Sequence, residues 1–393
     1  MNSYSFGIPQ SIIVGNGKFE KLPEVVEKLG GSNAMIISGP HLNRIGVVDS
    51  AMESLQKAGI SASKFTDVEG NPSTTTVEKA VEAYHAAASD FIIALGGGSP
   101  MDVAKAVAVV AKYGGNICDY EGGGKVPGPV IPIIAIPTTA GTGSEVTAFS
   151  VITDHERDYK LTVFSNALIP AYAILDPQLI TSVPPNVAAA CGIDAFIHAE
   201  EAYVSRAANP YSEAMSEKAM ELIIESIRAY VSCRENIETA EKMLLGSTLA
   251  GLAFSNARLG NVHAMSHPIS AYFDVPHGVA NGVLFPTIVE YNALADKGKY
   301  RKIYNIISKG KLTEEDFHPC YLTKKIEILC RDIGIPSTLG EAVNTSRKIP
   351  FAKSDIEKVI PLMAQDAMKS GNILVNPRSS NINDIISLYQ KVL

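Results

Sequence analysis

The first half of the chain alternates between short apolar runs and amphipathic stretches. The apolar runs are almost unbroken, as expected for parallel strands buried on both faces, and they cover residues 34–38, 91–95, 130–136 and 171–175. Helical spacing of apolar positions predicts helices between them at residues 48–58, 74–88 and 101–111. Strands that alternate with helices predict an α/β domain with a parallel sheet.

The pattern changes after Pro184 and Pro185, where apolar positions recur at helical spacing almost throughout. This spacing predicts helices that include residues 187–203, 210–230, 237–254 and 354–369. We therefore predict an α/β domain over residues 1–180 and an all-helical domain over residues 181–393.

Composition and charge exclude several classes of protein. The 393 residues are 46% hydrophobic and 19% charged, which is typical of folded domains. A net charge of −7, without any lysine- or arginine-rich run, argues against binding to nucleic acid or to a membrane. The N-terminus lacks the pattern of a signal peptide. Five scattered cysteines without CxxC spacing predict free thiols and a cytoplasmic location.

A glycine-rich turn follows the second predicted strand, in the sequence Leu-Gly-Gly-Gly-Ser-Pro-Met-Asp that ends at Asp102. Ser99 is suited to cap the next helix, Pro100 to occupy its first position, and Asp102 to complete a capping box. Glycines allow a phosphate group to approach the backbone, and the free N–H groups of a helix start bind it. Taken alone, the turn is either a phosphate site or only a tight connection between strand and helix.

A second loop of this kind follows the third predicted strand. It carries four hydroxyl groups that are able to bond phosphate or ribose, those of Thr138, Thr139, Thr142 and Ser144. Two such loops in one parallel-sheet domain favour a dinucleotide over a single phosphate.

Histidines cluster in the helical half. Asp194 and His198 are four residues apart, His263 and His267 repeat that spacing, and His277 follows. On a helix, residues four apart lie on one face. Imidazoles with one carboxylate suit Fe(II), Zn(II) or Mn(II), and such a metal beside a nicotinamide favours alcohol oxidation or aldehyde reduction.

Five motifs together resemble the iron-containing (group III) alcohol dehydrogenase family. They are Gly-Gly-Gly-Ser at 96–99, Pro-Thr-Thr-Ala-Gly-Thr-Gly-Ser-Glu at 137–145, Asp-x3-His at 194–198, His-Ala-Met-x-His at 263–267 and Pro-His-Gly at 276–278. The resemblance implies a Rossmann-like dinucleotide-binding domain, a helical metal-binding domain as in dehydroquinate synthases, and an active site in the cleft between them. It also implies a cytoplasmic enzyme that forms a homodimer or a larger homo-oligomer.

By this resemblance, the metal ligands are Asp194, His198, His263 and His277. His267 matches an additional histidine near the nicotinamide and the substrate, which makes it a candidate for proton relay or substrate positioning. The family name implies Fe(II), while Zn(II) or Mn(II) stays possible because affinity order alone does not select the metal.

The resemblance also assigns contacts to NAD(P). Gly97, Gly98 and Ser99 are expected at the pyrophosphate, and Asp102 is either a cap or a ribose contact. The other expected contacts are Asn71, Thr138, Thr139, Thr142 and Lys160.

One position departs from many NAD-preferring members of the family. The first predicted strand, residues 34–38, is followed by Gly39, where those members have an acidic residue that binds the adenosine 2′-hydroxyl. Glycine removes charge repulsion against a 2′-phosphate, so we expect NADP(H) to be accepted, with His41 or Arg44 as candidate partners of that phosphate.

The predicted substrate is a small alcohol or aldehyde. Arg258 is a candidate partner for an anionic tail, or else a helix-packing residue. Two alternatives stay open: a glycerol dehydrogenase-like or other polyol or hydroxy-acid enzyme, such as a sulfoacetaldehyde or semialdehyde reductase, and, with less support, a metallohydrolase. A nucleotide-binding module without catalysis is the remaining alternative.

Overall fold

The computed structural model describes residues 4, 6–157, 159–346 and 351–393. The chain divides into two units, Gly7–Ser182 and Val183–Leu393, and Tyr4 and Phe6 belong with the second. We describe each unit by itself.

The first unit contains a six-stranded sheet whose neighbouring strands are all parallel, in the order β1-β9-β6-β4-β2-β3. A smaller sheet has the order β5-β8-β7, with β7 and β8 antiparallel. The strands are β1 (Ser11–Val14), β2 (Asn33–Ile37), β3 (Ser61–Phe65), β4 (Phe91–Gly96), β5 (Gly122–Gly123), β6 (Ile133–Pro137), β7 (Phe149–Asp154), β8 (Tyr159–Phe164) and β9 (Tyr172–Leu175).

Helices cover both faces of the large sheet. They are α1 (Leu22–Leu29), α2 (Pro40–Arg44), α3 (Val47–Lys57), α4 (Thr74–Ala86) and α5 (Gly98–Tyr113). Ile92 and Ala94 of β4 belong to a core with α4 and α5, whereas Ile93 and Leu95 belong to a core with α1 and α3. Burial on both faces explains the unbroken apolar runs, and the predicted parallel α/β domain is confirmed.

The strand order places a topological switch point at β2. The chain runs from β2 outward to β3 and then returns across β2 to β4. Ligands of open α/β sheets bind where the carboxyl ends of strands border such a point. Gly39 follows β2 and Gly97 follows β4, so both lie at this switch point.

The sequence pattern missed several strands. β1 and β3 are the edges of the large sheet, and β3 is largely polar because one of its sides is not covered. β7 and β8 form a hairpin whose side chains alternate between buried and partly exposed. This period-two alternation is typical of strands, but these two strands were not predicted. β6 begins at Ile133 rather than at residue 130, since Pro132 has no N–H to donate to a neighbouring strand.

The second unit is helical in its described part, which confirms the prediction for this half. Its helices are α6 (Pro185–Val204), α7 (Pro210–Ser232), α8 (Ile237–Ala257), α9 (Asn261–Phe273), α10 (His277–Asn292), α11 (Lys297–Ser308), α12 (Pro319–Asp332), α13 (Leu339–Ser346), α14 (Lys353–Lys369) and α15 (Ile382–Lys391). α6, α7 and α8 pack against one another, and α10 packs against both α6 and α9. None of the described helices is long and apolar enough to cross a membrane.

Candidate functional site

Asp194 and His198 lie on α6, a helix that is buried along most of its length. Their spacing of four residues brings both side chains to one face, as predicted from sequence, and His198 Nε2 is 3.8 Å from Asp194 Oδ1. The His198 ring stacks on Phe254 and on His263, with centroid distances of 4.4 and 4.6 Å. A buried helix thus presents a carboxylate and an imidazole toward α9.

His277 reaches the same place because α10 begins against the backbone of α6. A Cβ atom on Gly278 would lie 2.0 Å from the carbonyl oxygen of Ala190, so only glycine permits this approach. The close contact explains why a glycine follows His277, and it brings the first residue of α10 to Asp194. His277 Nε2 is 3.9 Å from Asp194 Oδ1.

The third imidazole comes from α9, where His263 Nε2 is 3.4 Å from Asp194 Oδ1. Ligand atoms of Asp194, His263 and His277 all lie within 4.8 Å of one another, while His198 touches this group through Asp194. Four ligands at about 2.1 Å in a tetrahedral shell would be about 3.4 Å apart, close to these spacings. The donor set therefore fits a divalent transition metal in chemistry and in size.

The charge distribution of the site favours binding of a cation, because Asp194 is held in its ionised form. Burial raises the pKa of Asp194, but the three histidines outweigh burial and hold that pKa well below its usual range. Burial lowers the pKa of His263, but contacts with Asp194 and Glu201 outweigh burial and raise it to about 9. A metal bound here would displace the His263 proton, as metal binding to imidazole requires.

Two side chains that contact this group were not predicted from sequence: Glu201, which lies behind the His263 ring, and Asn281, which lies beside the ligand atoms themselves. Glu201 Oε2 lies 2.6 Å from His263 Nδ1. Asn281 Nδ2 donates to Asp194 Oδ1 at 2.6 Å, and it lies 3.1 and 3.2 Å from the Nε2 atoms of His263 and His277. Helical spacing gives the signal that would have found them, since Glu201 follows Asp194 by seven residues and Asn281 follows His277 by four.

His267 lies one turn after His263 on α9, and its side chain is exposed. The centroid of its ring is 5.2 Å from that of His277 and 6.4 Å from that of His263. It therefore borders the group of ligand atoms and stands outside it.

In the first unit, the glycine-rich turn joins β4 to α5 as predicted, but the helix starts earlier than expected. Gly97 is the residue before the helix, which places Gly98 and Ser99 in its first turn. The prediction of Ser99 as the cap and Asp102 as its capping-box partner is therefore wrong. Gly97 and Gly98 lie at the start of the helix. Because they have no side chains, the loop that carries Thr139 and Thr142 packs directly against them.

Contacts between the two predicted loops are close. A Cβ atom on Gly97 would lie 3.1 Å from Thr139 Oγ1, and one on Gly98 would lie 2.9 Å from Thr142 Cγ2. Thr138 N–H donates to the Gly96 carbonyl oxygen at 3.0 Å, which continues the pairing of β6 with β4. The structure thus brings these threonines and glycines together at the carboxyl ends of β4 and β6.

Asp102 is half-buried and borders a buried polar cluster around Lys105. Lys105 is 0% exposed and donates to Ser144 Oγ, Thr147 Oγ1 and the Phe149 carbonyl oxygen at 3.0, 3.0 and 2.9 Å. Burial raises the pKa of Asp102 to about 6, and burial lowers the pKa of Lys105 to about 8. Sequence reasoning missed Lys105, although a lysine in the apolar run of α5 is the signal that would have found it.

The remaining predicted cofactor contacts fall into two places. Lys160 Nζ donates to Asn71 Oδ1 at 2.8 Å, so these two residues form a pair, and Asn71 has a left-handed backbone with φ of 56°. Gly39 is the residue before α2, and the exposed His41 and Arg44 lie on that short helix.

Comparison with known proteins identifies the family. The family model for iron-containing alcohol dehydrogenase matches residues 9–177, and the C-terminal model of the Fe-containing alcohol dehydrogenase family matches residues 188–393. The 1,3-propanediol dehydrogenase of Klebsiella pneumoniae is 35% identical over 395 residues, covering 99% of this chain and 98% of that protein. The NAD-dependent methanol dehydrogenase of Bacillus methanolicus is 32% identical over 392 residues, covering 99% and 100%.

Solved structures agree with the sequence comparison. The crystal structure of a 1,3-propanediol oxidoreductase superposes with a TM-score of 0.94 at 34% identity, and the match covers 100% of both chains. The chain belongs to the iron-containing alcohol dehydrogenase family, as its motifs indicated, and it is an oxidoreductase of the alcohol dehydrogenase type.

Proposed function

We propose that this enzyme interconverts small aldehydes and primary alcohols, with a metal held by Asp194, His198, His263 and His277. The observation that carries the proposal is the convergence of three imidazole Nε2 atoms on one carboxylate oxygen, at 3.4, 3.8 and 3.9 Å. Fe(II) is the expected metal, with Zn(II) or Mn(II) as alternatives that the same donor set accepts. When bound, the metal polarises the oxygen of the substrate as a Lewis acid.

We assign proton transfer to His267. Its ring is exposed and lies 5.2 Å from that of His277, so it is placed to exchange a proton with solvent beside the metal ligands. A group that protonates the alkoxide formed from an aldehyde completes the reduction. Positioning the substrate is the alternative role for the same side chain.

The cofactor in this proposal is NAD(P)(H), bound by residues 1–180 as the dinucleotide domain. The start of α5 offers the N–H groups of Gly98 and Ser99 to the pyrophosphate, in a helix long enough to supply a dipole. The ribose and adenosine contacts are assigned to Asn71, Asp102, Thr138, Thr139, Thr142 and Lys160. The neighbouring domain, residues 181–393, is assigned the metal and the substrate.

NADPH is proposed to be accepted as well as NADH. The turn after β2 carries Gly39 and no carboxylate that would repel a 2′-phosphate, and the switch point at β2 is where the adenosine ribose is expected. His41 and Arg44 on α2 are the candidate partners of that phosphate.

A second substrate class has an observation in its favour. Arg258 is exposed, and it has a left-handed backbone with φ of 61°, an unfavourable conformation that is enriched at functional sites. It is five residues before His263, so an aldehyde with a carboxylate or sulfonate tail is the alternative substrate. None of the five cysteines, all of which the structure describes, forms a disulfide, which supports the proposed cytoplasmic location.

The experiment is an assay of NADH and NADPH oxidation at 340 nm with a panel of aldehydes. The panel compares a neutral with an anionic aldehyde in two pairs: propionaldehyde with succinic semialdehyde, and lactaldehyde with sulfoacetaldehyde. Each aldehyde is tested with added Fe(II), Zn(II) or Mn(II). Metal-dependent turnover of neutral aldehydes supports the main proposal, and a preference for anionic aldehydes that Arg258→Ala removes supports the alternative. Turnover that is unaffected by metal removal would overturn the proposed metal role, and a preference for NADH above about 100-fold would overturn the proposed use of NADPH. Size-exclusion chromatography with light scattering tests the proposed homodimer.

A further inference from the structure

Glu201 is a buried carboxylate that contacts one proposed metal ligand from behind. It lies on α6, seven residues after Asp194 and therefore on the same face of the helix. Its side chain is 2% exposed. Oε2 lies 2.6 Å from His263 Nδ1, and Oε1 accepts a hydrogen bond from the backbone N–H of Val262 at 2.7 Å. Both oxygens of the carboxylate are thus engaged on α9.

We infer that Glu201 is a positioning residue that fixes the tautomer and the orientation of His263 for metal binding. A carboxylate that accepts at both oxygens requires the proton of the imidazole to be on Nδ1, which leaves the lone pair on Nε2. That Nε2 atom is the one directed at Asp194 Oδ1, at 3.4 Å. The inference rests on the proposed assignment of His263 as a metal ligand.

The second contact of Glu201 links the ring to its helix. Val262 is the second residue of α9, so its N–H is one of the groups that a helix start leaves without an intrahelical partner. One carboxylate therefore holds the end of α9 and the ring of His263 at the same time. Because α6 also carries Asp194 and His198, the position of three proposed ligands is set by contacts of a single helix.

The chain provides a matched control in the neighbouring residue. Glu200 is equally buried, at 2% exposure, but its carboxyl group faces Tyr300 rather than a histidine. Glu200→Gln therefore changes a buried carboxyl group of the same size that contacts no proposed metal ligand. Glu201→Gln differs, because an amide offers one acceptor and one donor where the site presents two donors.

The test is Zn(II) binding to the full-length chain after metal removal, measured by competition with a chromogenic chelator. We expect Glu201→Gln to weaken Zn(II) binding about 10–100-fold, the effect usual for the partner of a ligating histidine. Glu200→Gln is expected to stay within about threefold of wild type. Wild-type affinity in Glu201→Gln, with metal lost in His263→Ala, would overturn this inference and leave the proposed ligand set standing. Metal retained in His263→Ala would overturn the ligand set itself.

A spectroscopic measurement keeps the inference testable if Glu201→Gln fails to fold. Long-range ¹H–¹⁵N spectra of the Zn(II)-loaded wild type, labelled at its eight histidines, report which ring nitrogen carries the proton. The His263 signals are identified as those that disappear in His263→Asn and remain in the control Glu200→Gln. We expect a proton on Nδ1 and none on Nε2. A proton on Nε2, or a ring that exchanges between the two tautomers, would overturn the role of Glu201.

Discussion

Replacing Lys105 by methionine tests whether its buried cluster holds the loop after β6 against α5. Methionine fills most of the same volume but cannot donate, so Ser144, Thr147 and the Phe149 carbonyl oxygen each lose a partner. Ser144 Oγ also donates to Asp102 Oδ1 at 3.3 Å, which makes it the link between the cation and the carboxylate. Thr142, which lies against Gly98, is two residues away.

Two effects of opposite sign decide the magnitude. Lowering the pKa of Lys105 from 10.5 to about 8 means that burying the charge costs about 3 kcal/mol, which methionine avoids. Each hydrogen bond from a charged donor contributes about 1.5–3 kcal/mol, and three are lost. The hydrogen bonds outweigh the burial cost, so we expect Lys105→Met to lower the free energy of unfolding by about 3 kcal/mol near pH 7, where Lys105 is still largely charged, which agrees with the cost of breaking other buried pairs.

The loss should depend on pH through Asp102. Its pKa is raised from 3.8 to about 6 in the folded chain, and removing the Lys105 charge raises that pKa further. A carboxyl group with a raised folded pKa contributes stability that is present below about pH 4 and is lost as the pH rises through the folded pKa. The deficit of the variant relative to wild type should therefore grow between pH 5 and pH 7.

The assay is urea unfolding followed by far-ultraviolet circular dichroism, because the chain has no tryptophan. Lys112→Met is the control, since Lys112 is exposed on the same helix and its loss should change stability by less than about 0.5 kcal/mol. A deficit in Lys105→Met below about 1 kcal/mol at pH 7, or one that is equal at pH 5 and pH 7, would refute the reasoning.

Four further substitutions probe the metal and cofactor sites. His277→Ala should remove more than about 90% of bound metal and of turnover, whereas His267→Ala should keep the metal and lower only kcat; elemental analysis and initial rates distinguish the two. Gly98→Ala places a Cβ atom 2.9 Å from Thr142 Cγ2 and should raise the KM for the cofactor about tenfold, with Thr142→Ser partly restoring it; unchanged KM would contradict the close contact. Gly39→Asp should lower kcat/KM for NADPH relative to NADH by about tenfold or more, and an unchanged ratio would show that this turn does not face the 2′-phosphate.

Local sequence pattern was sufficient for the fold class and for half of the candidate site. The spacing of Asp194 and His198 predicts one helix face, and α6 presents both there. Apolar runs identified the central strands because both faces of the parallel sheet are buried. The edge strand β3 was missed because its polar residues dilute the apolar signal, and the edge strand β1 was missed because its apolar run is only three residues long.

The start of α5 shows where local rules fail. Ser99 followed by Pro100 fits a helix cap by residue preference alone. In the structure the helix begins two residues earlier, after Gly97, where Thr139 and Thr142 of a distant segment pack against the glycines. Tertiary packing overrides the capping preference, because close contact between two loops selects the backbone position at which the turn ends.

By itself, the sequence determined which residue types are available and which of them share a helix face, since those properties depend on neighbours within a few positions. Only the tertiary structure decided that α10 begins against the backbone at Ala190, where Gly278 leaves room for His277 to meet Asp194. It also decided that Glu201 supports His263 across 62 positions of the chain, and that Lys105 is buried with its three acceptors. Such contacts arise from close packing between distant segments, which no local pattern of hydrophobic and polar residues encodes.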